Sequence, residues 1–370
     1  MPVNIQILKV LHIINSLATG GAEKLIIETL PLLNKTEDVE VELALLNAFD
    51  YQFYIEFKQV HPDIKVIEIS KGSVYNPFLI FKIIPLLKNY KILHVHLFPA
   101  LYWVAFAKLF SFSSIPLFFT EHSTNNRRLR NPIARLVDRF IYLFYNKVIC
   151  ISTEVKNQIK NLLKIPEKKL KVITNGINLN AIKLEKALDR GSLGYSAEDK
   201  LIIMVAGFRI EKDHETLLKA LAKLSNEYKL ILVGDGHRRK EIEDFIKLLR
   251  VEDRVTLLGV RNDVSSLLKM SDIAVLSSHW EGFGLAAVEA MAAGTPVIAS
   301  NVEGLKQVVE NGGILFEQGD DAELVQHIIE ITEISQKRKN IIDSGFSKAK
   351  EYDIQQMVDQ TIQTYRNEFE

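Results

Sequence analysis

Short apolar runs alternate with amphipathic segments along nearly the whole chain. Continuous apolar runs favour buried strands, whereas apolar residues spaced three or four apart favour helices packed on one face. Strands are predicted near residues 9–14, 39–46, 64–69, 92–96, 116–120, 147–151 and 171–173, and again near 201–207, 229–233, 255–258, 273–276 and 296–300. Helices are predicted near residues 77–88, 100–110, 131–145, 153–163, 215–224, 238–249 and 285–293, and from about residue 322. This alternation is typical of α/β domains in which helices cover both faces of a parallel sheet.

The series of strands and helices is interrupted once, near the middle of the chain. Residues 174–180 are rich in turn-forming Asn and Gly, and the charged segment that follows, to about residue 200, shows no periodicity. A chain of 370 residues also fits two domains better than one. We therefore expect Rossmann-like domains over residues 1–180 and 181–370, with the linker between residue 180 and about residue 200.

The candidate chemistry centres on a glycine-containing loop between a predicted strand and the helix that follows it. Gly284 and Leu285 stand where this helix begins, so their backbone N–H groups and the helix dipole can attract an anion. Glu281 precedes them in the loop, and Glu289 lies one helical turn beyond them on the same face. This outline fits a phosphate flanked by two sets of sugar hydroxyls, as in a nucleotide-sugar. On local features alone, an ordinary helix N-terminus with two solvated glutamates is an equal alternative.

The first half of the chain carries a weaker glycine motif at the equivalent place. Gly20 and Gly21 follow the strand at 9–14 and open an amphipathic segment. Their spacing is not the G-x-G-x-x-G of dinucleotide-binding proteins. We expect the pair to let the backbone approach a ligand closely.

Several histidines lie at or just beyond predicted strand ends, where open parallel sheets bind their ligands. His94 and His96 close one strand, and His122 follows another strand within a polar loop. A lone histidine is more often a structural residue, and this alternative is favoured for His94 and His96. The polar loop makes His122 the stronger candidate for a site.

Charge is unevenly distributed, although 46 basic and 46 acidic residues balance over the whole chain. Residues 1–180 hold 22 Lys and Arg against 14 Asp and Glu, and the remainder holds 24 against 32. Five arginines between Arg127 and Arg139 interleave with apolar residues at near-helical spacing. This pattern predicts peripheral contact with an anionic membrane through the Arg127–Arg139 region. The alternative is the solvated face of a helix that packs on the sheet.

Composition and spacing argue against several other classes of protein. One cysteine, Cys150, excludes a disulfide scaffold and a cysteine-built metal site. The sequence has no histidine pair at helical spacing and no Asp-x-Asp after a strand, so neither of these metal-binding patterns is present. The basic segment lacks stacking aromatics and the net charge is zero, so nucleic acid is not an expected partner. The N-terminal residues do not resemble a signal peptide, and no apolar run reaches about 18 residues, so we expect a cytoplasmic protein.

Taken together, these motifs resemble the retaining glycosyltransferases of family 4, whose fold is called GT-B. The most specific match runs from Glu281 through Gly284 to Glu289, and the resemblance covers nearly the full length of the chain. Supporting matches are Gly20-Gly21-Ala22-Glu23, His94-Val95-His96, Thr120-Glu121-His122, Asn175-Gly176-Ile177, Lys212-Asp213, Gly234-Asp235-Gly236 and Glu303-Gly304. The resemblance implies two Rossmann-like domains that face each other across a cleft, with C-terminal helices that cross back to the N-terminal domain.

The resemblance also implies a role for each candidate residue. The donor-binding residues would be Arg209, Lys212, Gly282, Phe283, Gly284, Leu285 and Glu289, and Gly20 and Gly21 would form the loop near the phosphates and the acceptor. Glu281 and His122 would be the catalytic residues beside the donor sugar. Glu289 would bind the ribose, while Lys212 and helix amides would hold the diphosphate without a metal ion.

The chain departs from the family pattern at one position. The family usually has an arginine five residues before the lysine, where this chain has Gly207. Arg209, two residues further on, is expected to reach the same phosphate. Without that contact, donor affinity would rest more heavily on Lys212.

The resemblance predicts an enzyme that transfers a sugar from a nucleotide diphosphate sugar, expected to be UDP-linked, to a glycan or lipid-linked acceptor. The process would be cell-surface polysaccharide synthesis, on the inner face of the cell membrane. A sugar-nucleotide epimerase or a sugar phosphorylase would keep the fold and change the reaction. A non-catalytic sugar-nucleotide or glycan-binding protein is a third possibility, against which the presence of Glu281, Lys212 and Glu289 argues.

Overall fold

The computed structural model describes residues 7–18, 20–122 and 127–369, without the side chains of Arg127 and Arg130. Within these ranges the strands are β1 (Leu8–Ile14), β2 (Val39–Leu45), β3 (Val66–Glu68), β4 (Ile92–His96), β5 (Leu117–Glu121), β6 (Lys147–Cys150), β7 (Leu170–Val172), β8 (Lys200–Val205), β9 (Tyr228–Val233), β10 (Val255–Gly259), β11 (Ile273–Leu276), β12 (Val297–Ser300) and β13 (Ile314–Phe316). The α-helices are α1 (Gly21–Asn34), α2 (Gln52–Val60), α3 (Leu79–Ile83), α4 (Ala100–Ser111), α5 (Pro132–Leu143), α6 (Thr153–Leu163), α7 (Leu179–Leu184), α8 (His214–Lys223), α9 (Arg239–Leu249), α10 (Val264–Met270), α11 (Leu285–Ala293), α12 (Lys306–Val309), α13 (Asp321–Glu333), α14 (Ser335–Ala349) and α15 (Ile354–Arg366). In the part of the chain that the structure describes, every helix is too short or too polar to cross a bilayer.

The chain divides into two compact units. The first comprises Met1–Gly176 together with Ile354–Glu370, and the second comprises Ile177–Asp353. Two parallel-sheet units confirm the predicted α/β class with two Rossmann-like domains.

The first unit is built on a seven-stranded parallel sheet with the order β3-β2-β1-β4-β5-β6-β7. The central strands β4 and β5 are buried along their whole length, including the polar residues His94, His96, Thr120 and Glu121. Since β1, β4 and β5 are adjacent, residues at their carboxyl ends lie along one edge of the sheet.

Helix α15 completes the core of the first unit. Val358, Ile362 and Tyr365 are buried in the same apolar cluster as Ile14 and Leu30. This confirms that a C-terminal helix crosses back to the N-terminal domain. The predicted division into residues 1–180 and 181–370 is therefore corrected: the boundary lies after Gly176, and α15 belongs to the first unit.

The second unit is built on a six-stranded parallel sheet with the order β10-β9-β8-β11-β12-β13. Its core draws on β8, β9 and β11 and on apolar residues of α8 and α13, such as Leu217, Leu221, Leu324 and Ile328. The strands β8 and β11 are neighbours, so the loops that follow them are neighbours too.

The segment expected to be a linker packs on the second unit. Leu188 donates its backbone N–H to the carbonyl of Ser266 at 3.1 Å. The guanidinium of Arg190 donates to the carbonyl of Met270 at 2.8 Å and to the carboxylate of Asp272 at 3.0 Å. At Leu188 and Arg190 the segment is therefore held on the second unit and is not a free linker.

Candidate active site

The helix α11 begins directly at the glycine loop that the sequence singled out. Gly284 precedes the helix in a left-handed conformation, with φ of 89°. Its carbonyl accepts from the N–H of Ala287 at 2.9 Å, which closes the first turn. Among the described residues, no acceptor is recorded for the N–H groups of Leu285 and Ala286, so these amides can bind an anion.

Two glycines hold the loop of Glu281 in a close approach to its neighbours. A Cβ built on Gly284 would lie 2.6 Å from Cδ2 of Leu305, and one built on Gly304 would lie 2.2 Å from the backbone oxygen of Glu281. Both glycines have positive φ angles, which other residues adopt only with strain. The position of Glu281 therefore depends on Gly304, which lies on a separate loop.

Lys212 is placed by the loop after β8. Asp213, the next residue, caps α8 by accepting from the N–H of Thr216 at 3.3 Å and from its hydroxyl at 2.6 Å. The hydroxyl of Ser277 donates to the carbonyl of Asp213 at 2.7 Å, and the N–H of His279 donates to the carbonyl of Glu211 at 2.9 Å. These bonds tie the β8 loop to the β11 loop.

As a result, Lys212 and Glu281 form an ion pair between the two loops. Their side chains are 20% and 17% exposed, so the pair is largely shielded from water while one side stays accessible. The structure thus brings a cation, a carboxylate and the N-terminus of α11 together, as the sequence predicted. The ammonium is therefore held in place before a ligand binds, and an incoming anion competes for it with Glu281.

The remaining candidates of the second unit differ in their surroundings. Glu289 is buried one turn inside α11. The ring of Phe283 is buried against Tyr352, with ring centres 5.3 Å apart, so it anchors the loop in the core. Gly282 donates its N–H to the carboxylate of Glu281 at 3.2 Å.

Arg209 is exposed beside the position where the family arginine is absent. A Cβ built on Gly207 would lie 3.7 Å from Nε of Arg209. The guanidinium therefore lies next to the space that a side chain at position 207 would enter. Its contact with a phosphate stays a prediction.

The first unit carries the other candidates. Gly20 precedes α1, and Gly21 is its first residue, as the strand–glycine–helix pattern predicted. Gly20 has an extended φ of −178°, so its backbone does not require glycine. His122 follows β5, and its Nε2 lies 3.3 Å from Nδ1 of His96. Burial lowers the pKa of His122 to about 4, so the ring is neutral at neutral pH.

The sequence did not reveal two side chains that pack against the histidines of β4. His12 on β1 and Tyr365 on α15 lie against His94 and His96, and all four side chains are buried. Ring nitrogens of His12, His94 and His96 lie within 4.8 Å of one another and are a group that could hold a metal ion. Spacing along the chain could not reveal the group, because its members come from elements far apart in sequence.

The sequence of the chain matches known protein families in both of its halves. The family model described as Glycosyl transferases group 1 matches residues 185–348, and the model described as Glycosyltransferase Family 4 matches residues 19–181. N-acetyl-alpha-D-glucosaminyl L-malate synthase of Bacillus anthracis is 32% identical over 261 residues, which are 69% of this chain and 68% of that protein. The chain belongs to glycosyltransferase family 4.

Two further similarities extend over almost the full length. The first is to the N-acetylgalactosamine-N,N'-diacetylbacillosaminyl-diphospho-undecaprenol 4-alpha-N-acetylgalactosaminyltransferase of Campylobacter jejuni, which is 29% identical and matches 92% of this chain and 94% of that protein. The second is to the crystal structure of Anabaena HepE in complex with UDP-glucose, with a TM-score of 0.84, 25% identity, and coverage of 97% of this chain and 99% of that one. The family 4 protein described here is accordingly an enzyme, a glycosyltransferase with the GT-B fold.

Because Gly304 approaches Glu281 closely, the position of Glu281 can be tested with a substitution that removes no functional group from the site. We expect Gly304→Ala to displace the backbone of Glu281 and to lower activity at least tenfold, because its Cβ would overlap the Glu281 carbonyl. Gly319→Ala is the matched control, since Gly319 has a similar φ of 79° but nothing within 4 Å of a Cβ. In both variants the strained backbone should lower the free energy of unfolding by about 1–2 kcal/mol, and the overlap should add to this loss in Gly304→Ala alone. Thermal unfolding measures both losses. Equal activity in the two variants would contradict the role given to Gly304.

Proposed function

We propose that this glycosyltransferase transfers a sugar from a UDP-sugar to a glycan or lipid-linked acceptor, with retention of the anomeric configuration. The observation that carries the proposal is the Lys212–Glu281 pair at the N-terminus of α11. The similarity to a protein crystallised with UDP-glucose supports the UDP donor. The similarity to a transferase named for a diphospho-undecaprenol acceptor supports the lipid-linked acceptor.

In this proposal the charge of the leaving group is met without a metal ion. Departure of UDP concentrates negative charge on its terminal phosphate, and Lys212, Arg209 and the amides of Leu285 and Ala286 stabilise that charge. Glu289 binds the ribose hydroxyls. The two cations and the two amides bind the phosphate more strongly as its negative charge develops. They therefore lower the activation barrier of the transfer and not only the KM of the donor.

The carboxylate of Glu281 acts at the other end of the breaking bond. The bond between the anomeric carbon and the phosphate oxygen breaks, and a bond from the acceptor oxygen forms on the same face. The acceptor proton passes to the departing phosphate, so no other base is needed. Glu281 stabilises the positive charge that develops on the sugar between these two events.

A thermal-shift screen followed by product analysis tests the proposed reaction. We expect UDP-sugars to raise the unfolding temperature without added magnesium, and more than GDP-, ADP- or CMP-sugars do. With an acceptor, mass spectrometry should detect UDP and a glycosylated product whose anomeric configuration matches the donor. An isomerised donor would indicate an epimerase, a requirement for free phosphate would indicate a phosphorylase, and binding without turnover on any acceptor would indicate a binding protein.

We further propose that helix α5 lies on an anionic membrane at the inner face of the cell. In the described part of the Arg127–Arg139 region, Asp138 points inward to Tyr102 and to Arg128, whose Nε is 3.5 Å away. The outer face is apolar instead: Ile133 is 76% and Leu136 is 69% exposed. An exposed apolar face beside Arg135 and Arg139, in the half of the chain with excess positive charge, fits a bilayer with anionic headgroups. The side chains of Arg127 and Arg130 lie outside the described residues.

Sedimentation with liposomes tests the membrane contact. We expect the protein to bind vesicles with anionic lipid, to bind neutral vesicles several-fold less, and to dissociate as salt is raised. Ile133→Glu and Leu136→Glu should each weaken binding at least tenfold, because each places a charge where the apolar face enters the bilayer. Leu248→Glu is the control, since Leu248 is 74% exposed in the second unit. No binding at low salt, or dimerisation through α5 in solution, would overturn the proposal.

A further inference from the structure

A continuous chain of buried polar side chains runs across the centre of the first sheet. It takes His12 from β1, His94 and His96 from β4, and Thr120 from β5, and it is joined by Tyr365 of α15. In the sheet, His12 is paired in register with His94, and His96 with Thr120, so these side chains share one face. The chain ends at His122.

Each link of this chain is a hydrogen bond between two side chains. Thr120 Oγ1 lies 2.7 Å from Nε2 of His94, whose Nδ1 lies 2.5 Å from the hydroxyl of Tyr365. That hydroxyl lies 3.2 Å from Nε2 of His12. Nδ1 of His12 lies 3.1 Å from Nε2 of His96, whose Nδ1 lies 3.3 Å from Nε2 of His122. The order is therefore Thr120, His94, Tyr365, His12, His96 and His122.

All the titratable members of the chain are uncharged at neutral pH. Burial lowers the pKa of His12 to about 3, holds the pKa values of His94 and His96 well below the usual range, and raises the pKa of Tyr365. Each imidazole therefore carries one proton, on one of its two nitrogens. Because both nitrogens of His12, His94 and His96 are engaged, the proton position in one ring dictates that in the next.

Three arrangements of protons satisfy every link, because the hydroxyl of Tyr365 can accept one hydrogen bond or two. Only the first of them also gives every hydroxyl proton of the chain an acceptor. In the first, Thr120 donates to His94 and every following group donates to the next, so all four histidines are protonated on Nδ1. In the second, every donor direction is reversed and all four are protonated on Nε2. The second arrangement leaves the buried hydroxyl proton of Thr120 without an acceptor among the described residues, which is unfavourable. In the third, His94 and His12 both donate to the hydroxyl of Tyr365, and the buried proton of that hydroxyl has no acceptor in the described part of the chain, which is unfavourable for the same reason. The first arrangement satisfies Thr120 and leaves Nδ1–H of His122 outside the chain.

We propose that Thr120, His94, Tyr365, His12 and His96 act as positioning residues that hold the proton of His122 on Nδ1. His122 then offers the substrate a neutral N–H donor and not a base. Resting on the proposed function, this assigns His122 the task of donating a hydrogen bond to an oxygen of the nucleotide-sugar. The tautomer itself is a property of the free protein.

A metal ion held by His12, His94 and His96 is the competing explanation of the cluster. The observed hydrogen bonds favour the chain, because the nitrogens that would bind a metal already face one another or a hydroxyl at 2.5–3.3 Å. A bound metal would need at least three of these nitrogens to turn their lone pairs to one point. Metal analysis of the purified full chain separates the two explanations.

Nitrogen NMR of ¹⁵N-histidine-labelled full-length protein at neutral pH tests the proposal. Four of the nine histidines belong to the chain, and single His→Gln variants assign their signals. We expect His12, His94, His96 and His122 all to show the Nδ1–H form in roughly tenfold excess or more. A histidine side chain in water prefers the Nε2–H form. The Nδ1–H form in all four residues would therefore not result from the intrinsic preference of the ring.

Thr120→Val provides the decisive variant because it removes the hydroxyl proton and keeps the shape. The preference for the arrangement with every proton on Nδ1 should be lost. His122 should then shift towards a comparable mixture of the Nδ1–H and Nε2–H forms, although Thr120 does not contact it. Thr361→Val is the matched control: Thr361 is also buried, and its hydroxyl donates to the carbonyl of Met357 at 2.8 Å. If Thr120→Val does not fold, Tyr365→Phe interrupts the chain between His94 and His12 and should also shift His122.

Three results would overturn the proposal: His122 protonated on Nε2 in the wild-type protein, an unchanged His122 in the folded variants, or stoichiometric metal that leaves with a chelator. The measurement needs no substrate and no turnover. Failure of the positioning chain is therefore distinguishable from failure of the proposed transferase reaction, which the nucleotide screen measures.

Discussion

Lys212→Ala is expected to lower kcat/KM for sugar transfer by about 10²–10³-fold, the usual loss when one fixed charge-stabilising donor is removed. Lys212 pairs with Glu281, which lies in the loop that leads into α11, and the lysine side chain is only 20% exposed. Water that fills the space left by the lysine cannot reproduce a fixed cation at the departing phosphate. The assay is release of UDP in the presence of acceptor, with the donor identified by thermal shift.

The fold should survive this change, because Glu281 keeps its bond from the N–H of Gly282 and retains access to water. Lys223→Ala is the matched control, since Lys223 lies on α8 and pairs with Asp321 at 3.0 Å. Full activity in Lys212→Ala, or an equal loss in the two variants, would refute the site.

Glu281→Gln is expected to reduce kcat by a similar factor of about 10²–10³, with a different signature in KM. The amide keeps the size of the carboxylate but cannot stabilise the positive charge that develops on the sugar. At the same time Lys212 loses its partner and becomes fully available to the diphosphate, so the donor KM should stay the same or fall. Steady-state kinetics that separate kcat from KM therefore distinguish the two variants.

Glu227→Gln is the control for the loss of an ion-paired glutamate, because Glu227 pairs with Lys200 at 2.7 Å away from the loops of the site. A raised donor KM with unchanged kcat in Glu281→Gln would mean that Glu281 only binds the donor. The catalytic role would then have to be withdrawn.

Five of the six strands of the second unit and its glycine loop could be predicted because their signals are local, whereas the three-residue strand β13 was not predicted. The helix predicted at 285–293 coincides with α11, since Gly284 and Gly294 bound an unbroken Ala-rich segment. The helix predicted at 77–88 is only partly α-helical: it is α3 and then a 3-10 turn over Ile84–Lys88. Pro85 explains the change, because it lacks an N–H and crowds the preceding turn.

Features that depend on distant pairs could not be predicted. The outward apolar face of α5 depends on such pairs, because inside the unit Asp138 accepts from the hydroxyl of Tyr102 and pairs with the guanidinium of Arg128. Likewise nothing near Tyr365 in the sequence points to His94, which lies 271 residues away. Such contacts are fixed by tertiary packing, which local patterns do not encode.

The two-piece construction of the first unit has a consequence for how the protein is made. While the ribosome is still synthesising residues 177–353, the place of α15 against Ile14 and Leu30 stays uncovered, and apolar surface is exposed to chaperones and to other chains. A fragment that stops at Gly176 should share this weakness and aggregate. A nonsense mutation shortly before Ile354 would for the same reason damage the portion of the polypeptide that was translated first.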